Sequence, residues 1–314
     1  MNKLLLAALV AGALSTPAFA ADYTIMAPAG PGGGWDQTAR TMQEALQAEG
    51  ISGNVQVTNV PGAGGTIGLA QFATQETGNP NALIVGGYVM VGAILTNMSP
   101  VTLDNVTPIA RLTGEAVGIV VPAASDIQDM DGLVAKLKEN TGAVSWAGGS
   151  AGGVDHIAAG LIAKAIGVDP TQVNYIAYSG GGEALAAILG GQVTVGISGI
   201  SEFAPQIEAG ELRLLAVSTD TRVPGFDAPT LQEAGVDVAV QNWRMVAAAP
   251  GITDEQKAAI TADIKAMAES ASWQTALETK GWVDTYLDGE DFAAQLAADI
   301  EATETILKDI GLVQ

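Results

Sequence analysis

The chain has no cysteine and a single histidine, His156, in 314 residues. Without thiols there is no disulfide scaffold and no thiolate metal site. One imidazole leaves only carboxylates for a metal ion, and no calcium-loop spacing of acidic residues occurs. No metal and no cofactor is expected. Basic residues are scarce too: 13 Lys and Arg stand against 34 Asp and Glu, a net charge of −21. Such a surface repels nucleic acid and anionic lipid, so neither is expected as a partner. Aromatic residues make up only 5% of the chain, so the core must be built from aliphatic side chains and alanine. Past the N-terminal segment no apolar run is long and charge-free enough to cross a bilayer, which takes about 20 residues.

The first twenty residues read as a cleaved signal peptide. Lys3 supplies the positive region, residues 4–14 the apolar region, and Ala18-Phe19-Ala20 the small-x-small cleavage site. Cleavage after Ala20 starts the mature chain at Ala21, and without a cysteine there the product is no lipoprotein. A soluble periplasmic protein is expected. At about 150 residues per domain the remainder suggests two domains.

Short apolar runs alternate with helical patterns. Strands are expected at 23–27, 55–60, 82–85, 117–122, 143–147, 174–177, 193–197, 212–218 and 243–248. Helices are expected at 36–49, 67–75, 130–139, 154–166 and 183–189, and the tail from 253 onward reads as mainly helical. Repeated strand–loop–helix units predict a mostly parallel sheet, arranged as two α/β lobes joined near residues 120 and 240.

Glycine is what the chain does have, 39 of them, and they cluster. Three loops, at residues 28–34, 147–153 and 179–182, each follow a strand and precede a helix. Such loops present unpaired N–H groups beside the positive end of a helix dipole, which suits a carboxylate or phosphate. Glycines can also simply make tight turns, but three loops of one form favour the anion reading. The loop at 62–65 leaves both readings open. No loop completes the dinucleotide fingerprint or Walker A: Trp35 and Ile67 stand where the third glycine belongs, and no Gly-Lys-Ser/Thr follows.

Gly148-x-Ser150-x-Gly152 also fits the nucleophile elbow of serine hydrolases, so a secreted hydrolase using Ser150 is the alternative from another class. The only histidine lies six residues further on, on the helix that the serine precedes, where the two side chains are expected to diverge. No catalytic residue is assigned. Asp36 reads as a helix cap, Trp35 as core or pocket wall, and Arg244 as a surface ion pair ahead of a carboxylate partner. The other acidic positions read as solvated faces.

The stretches PAGPGGGWDQTAR (28–40), NVPGAGGTIG (59–68), SWAGGSAGGVDHIAAGLIAKAIG (145–167), YSGGGEALAAILGGQV (178–193) and PTLQEAGVDVAVQNWR (229–244), in this order and spacing, carry a resemblance. The chain resembles the extracytoplasmic solute receptors of tripartite tricarboxylate transporters, the TctC or Bug family. The resemblance implies a two-lobed type II periplasmic binding protein with the ligand between the lobes. It gives lobe 1 as residues 21–121 plus 241–314 and lobe 2 as 122–240. It implies a monomeric, non-enzymatic receptor for a small di- or tricarboxylate such as citrate. The partners implied are a large and a small membrane subunit and, in some systems, a sensor kinase. The ligand-binding residues carried over are Ala29, Gly30, Gly32, Gly33, Gly34, Trp35 and Asp36 on one side. On the other they are Ser150, Ala151, Gly152, Gly153, His156, Ser179, Gly180, Gly181 and Gly182, and Gly64 is counted with them. Two positions depart from the family pattern: Ser198-Gly199 stands where many members are acidic, and Met245 where a glycine is usual.

Overall fold

The expected strand–loop–helix units appear in the computed structural model, which describes residues 21–179 and 181–314. The leader expected over residues 1–20 and Gly180 lie outside the described residues. The first third of the chain runs β1 (Ala21–Ala27), α1 (Gly34–Ala48), β2 (Ser52–Asn59), α2 (Thr66–Gln75), β3 (Ala82–Gly87) and α3 (Tyr88–Thr96). Next come β4 (Thr107–Pro122), α4 (Met130–Glu139), β5 (Ser145–Gly148), α5 (Val154–Ala165), β6 (Asn174–Ala177), α6 (Gly181–Leu189), β7 (Val195–Gly199), α7 (Ile200–Glu208) and β8 (Leu212–Val217). The chain closes with β9 (Gln241–Ala248), α8 (Asp254–Ala268), α9 (Ala271–Lys280), β10 (Val283–Asp288) and α10 (Gly289–Asp309).

The strands follow the order β2-β1-β3-β9-β4-β7-β5-β6, with β8 and β10 also on β4. Pairing is parallel at the outer strands of each half, β1 with β2 and β3, and β5 with β6 and β7. It turns antiparallel where β9 and β4 join the halves. The reason lies in β4, sixteen residues long and almost wholly buried, far longer than the short strand expected at 117–122. Its first part pairs with β9 and β10, and its last part with β7 and β8. One strand therefore serves both halves of a two-lobed α/β molecule, each half a small sheet flanked by helices.

Helices α3 and α7 and strand β10 have no clear sequence signal, and each for a physical reason. In α3, YVMVGAILT, the residues are apolar on every side, so no helical period stands out against a buried run. Helix α7 carries Pro205 inside it, which reads as a breaker. In the tail, β10 has mostly partly buried side chains and lacks the alternation of a half-buried strand. Helix α8 does carry a legible start: Thr253 and Gln256 form a reciprocal capping box, worth about 1 kcal/mol.

Contacts at both ends of α5 bind the halves. A Cβ added at Gly92 on α3 would lie 1.9 Å from the Gly152 carbonyl oxygen, so α3 lies directly against the loop before α5. At the far end of α5, Lys164 meets Asp309 at 2.8 Å and Ile310 lies against Gly160.

Candidate functional site

The loops before α1 and α5 have the same construction. In each, a glycine N–H closes a turn onto the carbonyl three residues back: Gly33 to Gly30 at 3.2 Å, Gly153 to Ser150 at 3.0 Å. The third residue of each turn, Gly32 or Gly152, has φ of +82° or +73°, the left-handed geometry of a type II turn. Pro31 holds the second position of the first turn, where its fixed φ fits. The amide of that third residue is then taken by the side chain four residues on. Gly32 N–H donates to Asp36 Oδ2 at 2.8 Å, and Gly152 N–H to His156 Nδ1 at 3.2 Å.

Asp36 and His156 therefore brace their loops from behind. Asp36 also accepts from Asn59 Nδ2 at 2.9 Å and from Arg40 Nε at 3.0 Å. Burial pushes its carboxyl up, but the bonds from Arg40, Gly32 and Asn59 outweigh it and hold the carboxyl below the usual range. His156 stacks on Tyr175 with centroids 4.1 Å apart, and burial pushes its imidazole down to about 4. It is thus neutral at physiological pH, with Nδ1 an acceptor. As the only histidine, it should show no ring titration by NMR between about pH 5.5 and 8 in untagged protein; a midpoint near the unperturbed value of about 6.5 would refute this placement.

Between the loops lies an inner cavity of about 60 Å³, which shares Gly64, Ser150 and Ser179 with an outer pocket of about 270 Å³. Ala29, Gly33, Gly34 and Trp35 line the inner cavity from the first loop, with Pro28. Gly64 lines it with Gly62 and Gly65, so the loop at 62–65 is part of the wall. Ser150 and Ser179 line both spaces, and Ala151 the outer one. Gly30, Gly32, Gly152 and Gly153 build the turns behind these walls, while Gly181 and Gly182 begin α6. Helix geometry leaves the N–H groups of Gly34 and Trp35 without carbonyl partners at the start of α1.

The deepest wall comes from residues the sequence reading placed elsewhere. Arg244, expected on the surface, is buried, and its Nη2 pairs with the buried Glu115 of β4. Its guanidinium lies 4.9 Å from the Trp282 ring centroid. Nη1 is buried with no hydrogen-bond partner, and Arg244 lines the cavity. A Cβ added at Gly34 would come within 2.6 Å of Arg244 Nη2, so this glycine is what lets the loop rest on the guanidinium. Met245 is buried beside Gly86 and is absent from the cavity wall.

Asp155, also expected to be solvated, is buried in the same wall and accepts from Gly149 N–H at 2.8 Å. Burial first of all pushes its carboxyl up to about 7. Tyr175 supports that loop by donating to the Gly149 carbonyl at 2.8 Å. Asn242, Ser198 and Glu202 complete this side. The sequence does hold a usable signal here: Arg244 and Glu115 are opposite charges embedded in apolar runs, and such charges are seldom buried unless paired. No hydrogen bond joins Ser150 Oγ to His156, whose Nδ1 accepts from the Gly152 N–H.

Among known proteins, the model of the tripartite tricarboxylate transporter family receptor matches residues 38–312. A UPF0065 protein of Bordetella bronchiseptica is 32% identical over 264 residues, covering 81% of this chain and 77% of that one. MatC from Rhodopseudomonas palustris, solved with bound malate, shares the fold at a TM-score of 0.80 and 24% identity, over 93% of this chain and 100% of that one. Another R. palustris protein, solved with adipate, aligns at a TM-score of 0.82 and 22% identity, over 92% and 97%. The architecture is that of periplasmic binding proteins, and the chain belongs to the tripartite tricarboxylate transporter receptor family.

Proposed function

We propose that the chain is an exported receptor that captures a small carboxylate in this cleft and delivers it to a tripartite membrane transporter. The observation that carries the reading is the inner end of the cavity. There the N–H groups opening α1 sit beside a buried guanidinium with one nitrogen unpartnered, and burying a carboxylate costs heavily unless its oxygens find such donors. Malate and adipate on two proteins of the same fold support that class of ligand. The lobes are taken as residues 21–121 with 241–314, and 122–240. Closure of one on the other would bring both braced loops to the ligand, so that binding shifts a hinge equilibrium. The implied partners are the large and small membrane subunits, with a sensor kinase as the signalling variant, and the site is the periplasm. Among the described residues no helix is long and apolar enough to cross a membrane.

A thermal-shift series with malate, adipate, citrate and amino acids tests the reading. A ligand at about 100 times its Kd should add roughly 2.7 kcal/mol of stability. If none of these carboxylates raises Tm, the receptor reading fails. A fluorophosphonate probe should leave Ser150 unlabelled; labelling there would restore the hydrolase.

A further inference from the structure

Helix starts in the cleft are the places where an anion would sit, and the protein's own carboxylate already holds one of them, at α7. Glu115 Oε1 accepts from Ser201 N–H, at the start of α7, at 2.8 Å, while its other oxygen pairs with Arg244. Asp155, in the first turn of α5, takes the Gly149 N–H. The opening of α1 is the start that also has a cation beside it, the Arg244 guanidinium, and so is the place for a ligand carboxylate.

The charges around the cavity agree. Among the described residues Arg244 is the sole basic one in the inner and outer walls, and Glu115 is already paired with it. Asp155 and Glu202 line the inner space and Glu183 the outer one. Carboxylates therefore outnumber cations around these spaces. Arg244, the α1 opening and Asp155 all line the one inner space, so a small ligand can reach both ends of it.

Resting on the carboxylate reading above, we propose that the ligand is a small monocarboxylate whose second polar group is a hydrogen-bond donor, an ammonium above all. Its carboxylate lies at the α1 opening beside the Arg244 guanidinium, and its donor faces Asp155. A second ionised carboxylate would instead meet Asp155, with no further cation among the described wall residues to receive it.

Three probes of one length, succinate, 4-hydroxybutyrate and 4-aminobutyrate, change only the charge at the far end. Calorimetry on the mature chain should give affinity rising in that order, at least tenfold from first to last. Asp155→Asn should compress the series to within about threefold, because an amide keeps the Gly149 bond and loses the charge. In the wild type, 4-aminobutyrate should bind more tightly at pH 8 than at pH 6 as Asp155 ionises, and succinate less tightly. The charged and titratable groups facing Asp155 are Glu115 on β4, Tyr175 on β6, Glu202 on α7 and Arg244 on β9, with His156 beside it on α5. Succinate as the tightest binder, or a series that Asp155→Asn leaves unchanged, would overturn the proposal. So would binding of malate or adipate with none of the three probes, although the carboxylate reading would then stand. No binding by any carboxylate would remove the carboxylate reading first and this proposal with it.

Discussion

Arg244→Met is expected to abolish carboxylate binding and to cost about 3–5 kcal/mol of stability, because it strands Glu115 as a buried, uncompensated charge. Methionine fills much of the space of the arginine stem, so the loss comes mainly from charge and hydrogen bonding. Glu115→Gln alone should also destabilise, since it leaves the guanidinium buried beside a neutral amide. The double variant Glu115→Gln/Arg244→Met has no stranded charge, and the introduced side-chain amide can still accept from the Ser201 N–H through its oxygen. It should therefore recover most of the stability while remaining unable to bind, since the guanidinium at the α1 opening is gone. Urea melts of the four proteins give the coupling energy, and calorimetry gives the binding. A double variant no more stable than Arg244→Met alone would show that the pair is not the source of the loss.

That pair also marks the limit of what the sequence makes legible. The loops PAGPGGGWD and GGSAGGVDH are legible because their chemistry is local: glycine at positive φ, proline at a turn, a helix opening just after. Their bracing is half legible, since Asp36 reads as a cap, whereas His156 as an acceptor for Gly152 emerges only with its stacking on Tyr175. The inner wall is non-local. Glu115 and Arg244 stand 129 residues apart, and each alone resembles a surface charge. Only the register of β4 against β9, which sets Glu115 opposite Asn242 and Thr113 opposite Arg244, brings them together. Asp155 escapes the sequence for a related reason. First-turn acids are usually solvated caps, and what buries this one is the packing of β6 and β7 around it, from Tyr175 and Ser198.

Asp155 should also leave its mark on stability in the absence of any ligand. Burial raises its carboxyl from 3.8 to about 7, with Glu115 adding to the rise and the Gly149 amide, Arg244 and Ser198 opposing it. A raised pKa means that the folded state holds the proton over a range where the unfolded chain has released it. The stabilisation is therefore fully present below about pH 4 and is lost as pH climbs through 7, at up to about 1.4 kcal/mol per unit. Asp36 works the other way, since its lowered carboxyl contributes stability that disappears on acidification, and raw pH profiles mix the two. The difference between wild type and Asp155→Asn isolates the first effect, because Asp36 is common to both. At pH 8 the variant should be the more stable protein, having no buried carboxylate to ionise. Between about pH 7 and pH 5.5 the wild type should gain roughly 1.6 kcal/mol on it. Parallel profiles for the two proteins across that range would mean that Asp155 titrates like an exposed carboxyl, and the acceptor pole argued for the inner cavity would lose its central member.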